Sequence, residues 1–187
     1  MEDLVKELTV SLGTQEKNPY YIVDNLVTLN DLGFPHLLDE ETWQRLQSWK
    51  FKIYSLCILG KLGKRHEVLP ILCGPLIDDI LHQLEQPIKT SANMFYYSGH
   101  DATILRFLTA LGVEIETVPP TSSTVVLEIH ELENGIHAKV LYNWQEQIIR
   151  GAATSLVPFQ HLVEVLSPFR MSLETFKQIQ RNEFRNE

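Results

Sequence analysis

The residues best suited to chemistry are His100 and Asp101, in the stretch Phe95-Tyr96-Tyr97-Ser98-Gly99-His100-Asp101-Ala102-Thr103. The segment Met94–Ser98 is short and aromatic, lies between a Ser/Thr-rich start and a glycine, and predicts a buried strand. Ala102 to Leu111 predicts a helix that ends at Gly112. His100 and Asp101 would then lie at the carboxyl end of a strand and at the start of a helix. Ligands of open α/β sheets sit in that position, and free N–H groups at a helix start suit an anion. A histidine there can hydrogen-bond or charge-pair with a phosphate. An aspartate beside an anion has its carboxylate form disfavoured, so it can hold a proton and act as a general acid. The pair therefore suits a phosphate contact and a proton donor to a leaving group. As local structure alone, His and Asp are both tolerated at helix N-termini and Gly99 is ordinary turn chemistry. The dipeptide by itself leaves capping and catalysis open.

The elements around this pair fall into a helical front and a β-containing rear. Asp3 to Leu12 predicts a short helix that stops at Gly13. Residues 14–38, broken by Pro19, Gly33 and Pro35, read as irregular. Asp39 is a predicted N-cap, with Glu40 and Glu41 favourably placed in the first turn. From Thr42 to Leu62, Trp43, Leu46, Trp49, Ile53, Leu56 and Leu59 recur at helical spacing, with Gly60 and Gly63 loosening the end. Both tryptophans read as core packing. A further helix starts near Pro75, presents Leu76, Ile77, Ile80, Leu81 and Leu84, and ends at Pro87. His82 reads as a surface residue on it.

After the His-Asp segment, Pro119-Pro120 is a hard break. Val125, Leu127 and Ile129 alternate with Val126, Glu128 and His130, and Ile136, Ala138, Val140 and Tyr142 alternate on a return strand. Asn134-Gly135 marks the turn of this predicted β-hairpin. Helical segments at Gln160–Leu166 and Leu173–Arg181 follow, the second capped by Ser172. The expected class is α/β, with a helical region over 1–90 and a small mixed sheet with a hairpin in 91–187.

Composition narrows the function classes. The 187 residues carry 16 Lys+Arg against 24 Asp+Glu, a formal net charge of −8. Such a chain offers no basic field for nucleic acid. It has no apolar run long enough for a membrane span and no basic-plus-apolar start of a signal peptide. Hydrophobic residues at 44% are enough for a packed core. Cys57 and Cys73 are too few for a disulfide scaffold or a cysteine-only zinc site, and both read as small buried apolar residues.

Tyr97-Ser98-Gly99-His100-Asp101-Ala102-Thr103 resembles the distal His-Asp motif of the histidine acid phosphatases, members of the phosphoglycerate-mutase-like superfamily. Gly74-Pro75-Leu76-Ile77 is similar to a Gly-Pro-Leu segment that precedes that motif in the family. The strand with Glu128, the Asn-Gly hairpin and Tyr142 is similar to the hairpin that follows it, and Pro158–Phe176 to the terminal helices. The resemblance covers most of residues 40–177. It implies a partial phosphoglycerate-mutase-like fold and cleavage of phosphate monoesters at acid pH through a phosphohistidine, without metal or organic cofactor. His100 would join the phosphate pocket and Asp101 would protonate the leaving oxygen. Family members are commonly secretory or lysosomal, and they often dimerise.

The family's nucleophile motif, Arg-His-Gly-x-Arg-x-Pro, is not found in this sequence. The nearest string, Lys64-Arg65-His66-Glu67-Val68-Leu69-Pro70, has Glu67 where glycine is required and lacks the second arginine. The expectation is therefore a chain resembling the C-terminal half of a histidine acid phosphatase. It would have an acid and one anion contact but nothing to attack phosphorus. Without central strands, Met94–Ser98 would also have an unpaired edge, left exposed or completed by another chain. The alternative expectation is a non-catalytic remnant that binds phosphate or a partner protein.

Overall fold

A computed structural model describes residues 2–16, 18–34, 38–59, 65–86 and 94–183. The chain divides into two compact units, one formed by residues 1–58 with 116–118, the other by 59–115 with 119–187.

The first unit is helical. Helix α1 spans Glu2–Leu12, α2 Pro19–Asp31 and α3 Glu40–Leu59. Gly13 ends α1 with φ +60, a conformation that favours glycine. Helix α2 corrects the irregular reading of residues 14–38. Asn18 caps it by accepting the Tyr20 N–H at 3.0 Å, and Pro19 occupies the first helical turn, where it costs no hydrogen bond. Ile22, Val23 and Leu26 bury one face of α2 against Leu8, Leu38, Leu46 and Ile53. Trp43 and Trp49 are half-buried against that cluster, so both tryptophans are core residues as expected. Asp39 caps α3 as predicted, accepting the Thr42 N–H at 2.9 Å. The Thr42 hydroxyl donates to Asp39 at 2.8 Å and to Glu7 at 2.9 Å, and Glu7 also pairs with Arg45 at 2.7 Å, tying α1 to α3. Gly60 and Gly63 lie outside the described residues.

The second unit opens with α4, Arg65–Glu85. The sequence placed the start of this helix near Pro75, but it begins ten residues earlier and carries Pro70 and Pro75 inside it. An interior proline costs about 3 kcal/mol. Leu69, Cys73, Ile77, Ile80 and Leu81 are all buried at helical spacing, and each such side chain returns roughly 1.5–3 kcal/mol. A buried stripe running through both prolines therefore outweighs their cost. His82 is exposed, as expected. Cys73 is buried and free, and its thiol donates to the Leu69 carbonyl at 3.3 Å. The Cys57 side chain lies outside what the structure describes.

Helix α5 spans Asp101–Leu111 and packs on α4. Strands β1 (Val125–Leu132) and β2 (Gly135–Tyr142) form the predicted hairpin, in register from Val125↔Tyr142 to Leu132↔Gly135. The two residues between the strands are Glu133 and Asn134, and Gly135 closes the loop with φ +116. Two strands escaped the sequence reading. Strand β3 (Gln145–Gln147) folds back along β2 through Asn143 and Trp144, both at positive φ (48 and 67), the primed turn that suits a two-residue hairpin. Strand β4 (Leu156–Pro158) also pairs with β2. The sheet is small and contains the hairpin, and its pairings are antiparallel throughout. Helix α6 (Phe159–Leu166) covers the buried Ala138 and Val140 of β2 and reaches α5. Helix α7 (Leu173–Glu183) is capped by Ser172, which accepts the Thr175 N–H at 3.1 Å.

Met94–Ser98 is not a buried strand. Among the described residues it pairs with no strand, and Met94 and Tyr96 are 80% and 83% exposed. Its composition is that of a strand, but among the described residues no ladder partner lies beside it. Without one, an aromatic run has neither backbone pairing nor a surface to cover it.

Candidate phosphate site

Helix α5 positions the His-Asp pair. Its body is buried through Leu105, Phe107, Leu108, Ala110 and Leu111, while His100 and Asp101 at its N-terminus are exposed. A helix anchored at one end and open at the other presents its first turn to solvent as a fixed platform. His100 is the N-cap residue, with extended backbone (φ −104, ψ 168). Its N–H donates to Thr103 Oγ1 at 3.3 Å, and its carbonyl accepts the N–H groups of Thr103 (2.9 Å) and Ile104 (3.1 Å). The Asp101 carboxylate accepts the Ala102 N–H at 2.6 Å. Both the capping geometry and an accessible imidazole-carboxyl pair are thus present at once.

The far end of α5 is held equally firmly. Gly112 takes φ +78, and its N–H bonds the Thr109 carbonyl at 3.0 Å. Arg150 donates its backbone N–H to the Leu111 carbonyl at 2.8 Å and its guanidinium to the Thr109 carbonyl at 3.4 Å. A cation among the last carbonyls also complements the negative end of the helix dipole.

The side-chain contacts between α4 and the segments around it were not read from the sequence. The Tyr97 hydroxyl donates to Asp79 of α4 at 2.7 Å. The neighbouring Asp78 accepts Arg170 Nε at 2.6 Å, and Arg170 also pairs with Glu85 at 3.0 Å. Arg170 is held above the ordinary arginine value, chiefly by its hydrogen bond to Asp78.

His66 falls in the first turn of α4. A shallow cavity of about 230 Å³ lies at the corner between β4 and α6, lined by Thr154, Val157 and His161 among others. His100 and Asp101 do not line it, and His161 Nε2 is engaged with the Arg150 carbonyl at 2.9 Å. The depression and the open helix start are therefore separate features of the second unit. Among the described residues, no group of three His, Cys, Asp or Glu side chains could hold a metal ion. No described helix is long and apolar enough to cross a membrane.

Residues 15–143 match the model of the histidine phosphatase superfamily, branch 2, and the chain belongs to that family. Its relatives include lysophosphatidic acid phosphatase type 6 of Mus musculus, 30% identical over 111 residues (58% of this chain, 26% of the relative). The Homo sapiens protein of the same name is 24% identical over 185 residues (94% of this chain, 43% of the relative). Prostatic acid phosphatase of Rattus norvegicus is 26% identical over 122 residues (61% and 32%). The chain thus spans less than half the length of these relatives.

Proposed function

We propose that this chain carries the distal half of a phosphate-monoester hydrolase site, with His100 as a phosphate contact and Asp101 as the proton donor to the leaving oxygen. The observation that carries this reading is the exposed pair at the N-terminus of α5, inside the region that matches the histidine phosphatase family. In the complete reaction, a histidine nitrogen attacks phosphorus and the P–O ester bond breaks. The Asp101 proton passes to the departing alkoxide, and water later releases phosphate from the phosphohistidine. The 187 residues contain no Arg-His-Gly-x-Arg-x-Pro string to supply the attacking histidine and the arginines that neutralise the phosphoryl group. On this reading the 187 residues by themselves act as a pseudoenzyme that binds inorganic phosphate or a phosphate monoester with negligible turnover. The partner this reading favours is a second copy of the chain.

The test is an assay of the purified chain on a chromogenic phosphate ester at pH 5, alongside nuclear magnetic resonance of the His100 ring during titration with inorganic phosphate. Phosphate should shift the His100 signals, and turnover should stay near background. Robust turnover abolished by His100→Ala would overturn the inactive reading. Ring signals that ignore phosphate would overturn the site.

A second reading, a protein-binding remnant of the same fold, is favoured by the exposed run Met94–Tyr97. Exposed apolar patches next to unpaired backbone mark association surfaces.

A further inference from the structure

We propose that Tyr97 and Asp79 are positioning residues that fix the backbone ahead of His100, an inference that rests on His100 being the phosphate contact. Tyr97 stands three residues before His100. Its hydroxyl reaches across to Asp79 of α4 at 2.7 Å. Among the described residues, no other hydrogen bond holds the stretch Met94–Gly99. On the other side of the motif, Thr103 Oγ1 holds the His100 N–H. A Cβ on Gly99 would stand 3.1 Å from the Thr103 side chain, so the chain passes close to Thr103 as it enters the helix. His100 is therefore held from both directions, by Thr103 within α5 and, three residues upstream, by the bond from Tyr97 to Asp79 of α4.

The α4 end of this clamp is itself braced. Asp78 and Asp79 are consecutive, and a helix turns successive side chains to different directions. Asp79 takes Tyr97, while Asp78 takes Arg170, which also holds Glu85 one turn and more along the helix. The rotational setting of α4 is thus fixed on the Arg170 side while it supports the phosphate platform on the Tyr97 side. The Tyr97 hydroxyl keeps its proton at all physiological pH. Desolvation first, then the Asp79 carboxylate, push its pKa up to about 12. The donor in the clamp is consequently permanent. Recognition of a small anion depends on sub-ångström placement of its contacts, so slack three residues upstream should be felt at the imidazole.

The experiment compares Tyr97→Phe and Asp79→Ala, which break the bond, with Asp79→Asn, which keeps an acceptor. Amide hydrogen exchange is followed at Gly99–Ala102 and at Leu105–Leu111 in the free chain, and inorganic phosphate is titrated against the His100 ring signals. Both breaking variants should speed exchange at Gly99–Ala102 and weaken phosphate binding, each by about threefold to tenfold. Exchange at Leu105–Leu111 should not move, and Asp79→Asn should restore most of both effects. The proposal is overturned if exchange at Gly99–Ala102 stays unchanged, or if the α5 interior loosens equally. It is also overturned if Asp79→Asn behaves as Asp79→Ala, or if exchange rises while phosphate affinity holds. If the unmodified chain binds no phosphate, the phosphate reading itself fails, and the exchange data alone decide whether the clamp exists.

Discussion

Arg150 sits directly against Gly112: a Cβ added to the glycine would stand 2.7 Å from the Arg150 Cβ, at a residue whose φ is +78. The close approach and the left-handed backbone act at one position, and Gly74 separates them. There an added Cβ would meet the Met171 Cβ at 2.7 Å and the Phe169 carbonyl at 2.9 Å, with no positive φ. Gly112→Ala should therefore destabilise the second unit more than Gly74→Ala. Overpacking costs about 1–3 kcal/mol at either site, and left-handed backbone adds roughly 1–2 kcal/mol for a residue with a Cβ. Urea unfolding followed by tryptophan-independent circular dichroism would give both values. Equal losses would show that the chain relaxes around Arg150.

Asp39 gives the first unit an acid-sensitive helix cap. Its carboxyl is held below the ordinary value of 3.8, first by the Thr42 backbone N–H and then by the Thr42 hydroxyl. A depressed pKa stabilises the fold above the unfolded value, and that contribution disappears as pH falls through the folded value. Asp39→Ala should lower the melting temperature at pH 7, and the gap to the unmodified chain should close as the pH drops below 3.8. A gap independent of pH would assign the effect to packing.

Cys73 should behave as an inert core residue. Burial pushes its thiol pKa up to about 12, only partly opposed by the charge of Arg106, so almost no thiolate exists near neutral pH. Alkylation at pH 8, read by mass spectrometry of the peptide containing Cys73, should be slow in the native chain and fast in urea. Rapid native labelling would mean that α4 opens readily on the α5 side.

The parts of this fold that were legible in the sequence are those with long periodic signals. Helix α3 announced itself through Trp43, Leu46, Trp49 and Ile53 and through the Asp39 cap, and the hairpin through strict alternation with an Asn-Gly signal. The misses share a cause. Pro19 was read as a break and Pro75 as a helix start, whereas Pro19 begins a helix and Pro70 and Pro75 are both tolerated within one whose buried stripe continues past them. Strands β3 and β4 are three residues each, too short for any period. At the site, the His-Asp pair was visible as a dipeptide in a strand-turn-helix pattern. The hydrogen bond from Tyr97 to Asp79 was not visible, because a contact across 18 residues leaves no spacing rule to read. The strand at Met94–Ser98 failed for the opposite reason. Its residues are right for a strand, but pairing belongs to the neighbour and not to the segment.

That same exposed run makes the chain's behaviour depend on how much of it is present. Two large apolar side chains at 80% exposure or more sit beside unpaired backbone, so every added molecule is a prospective neighbour in a ladder. At high concentration the polypeptide should be lost from solution through this segment long before heat or acid loosens its core.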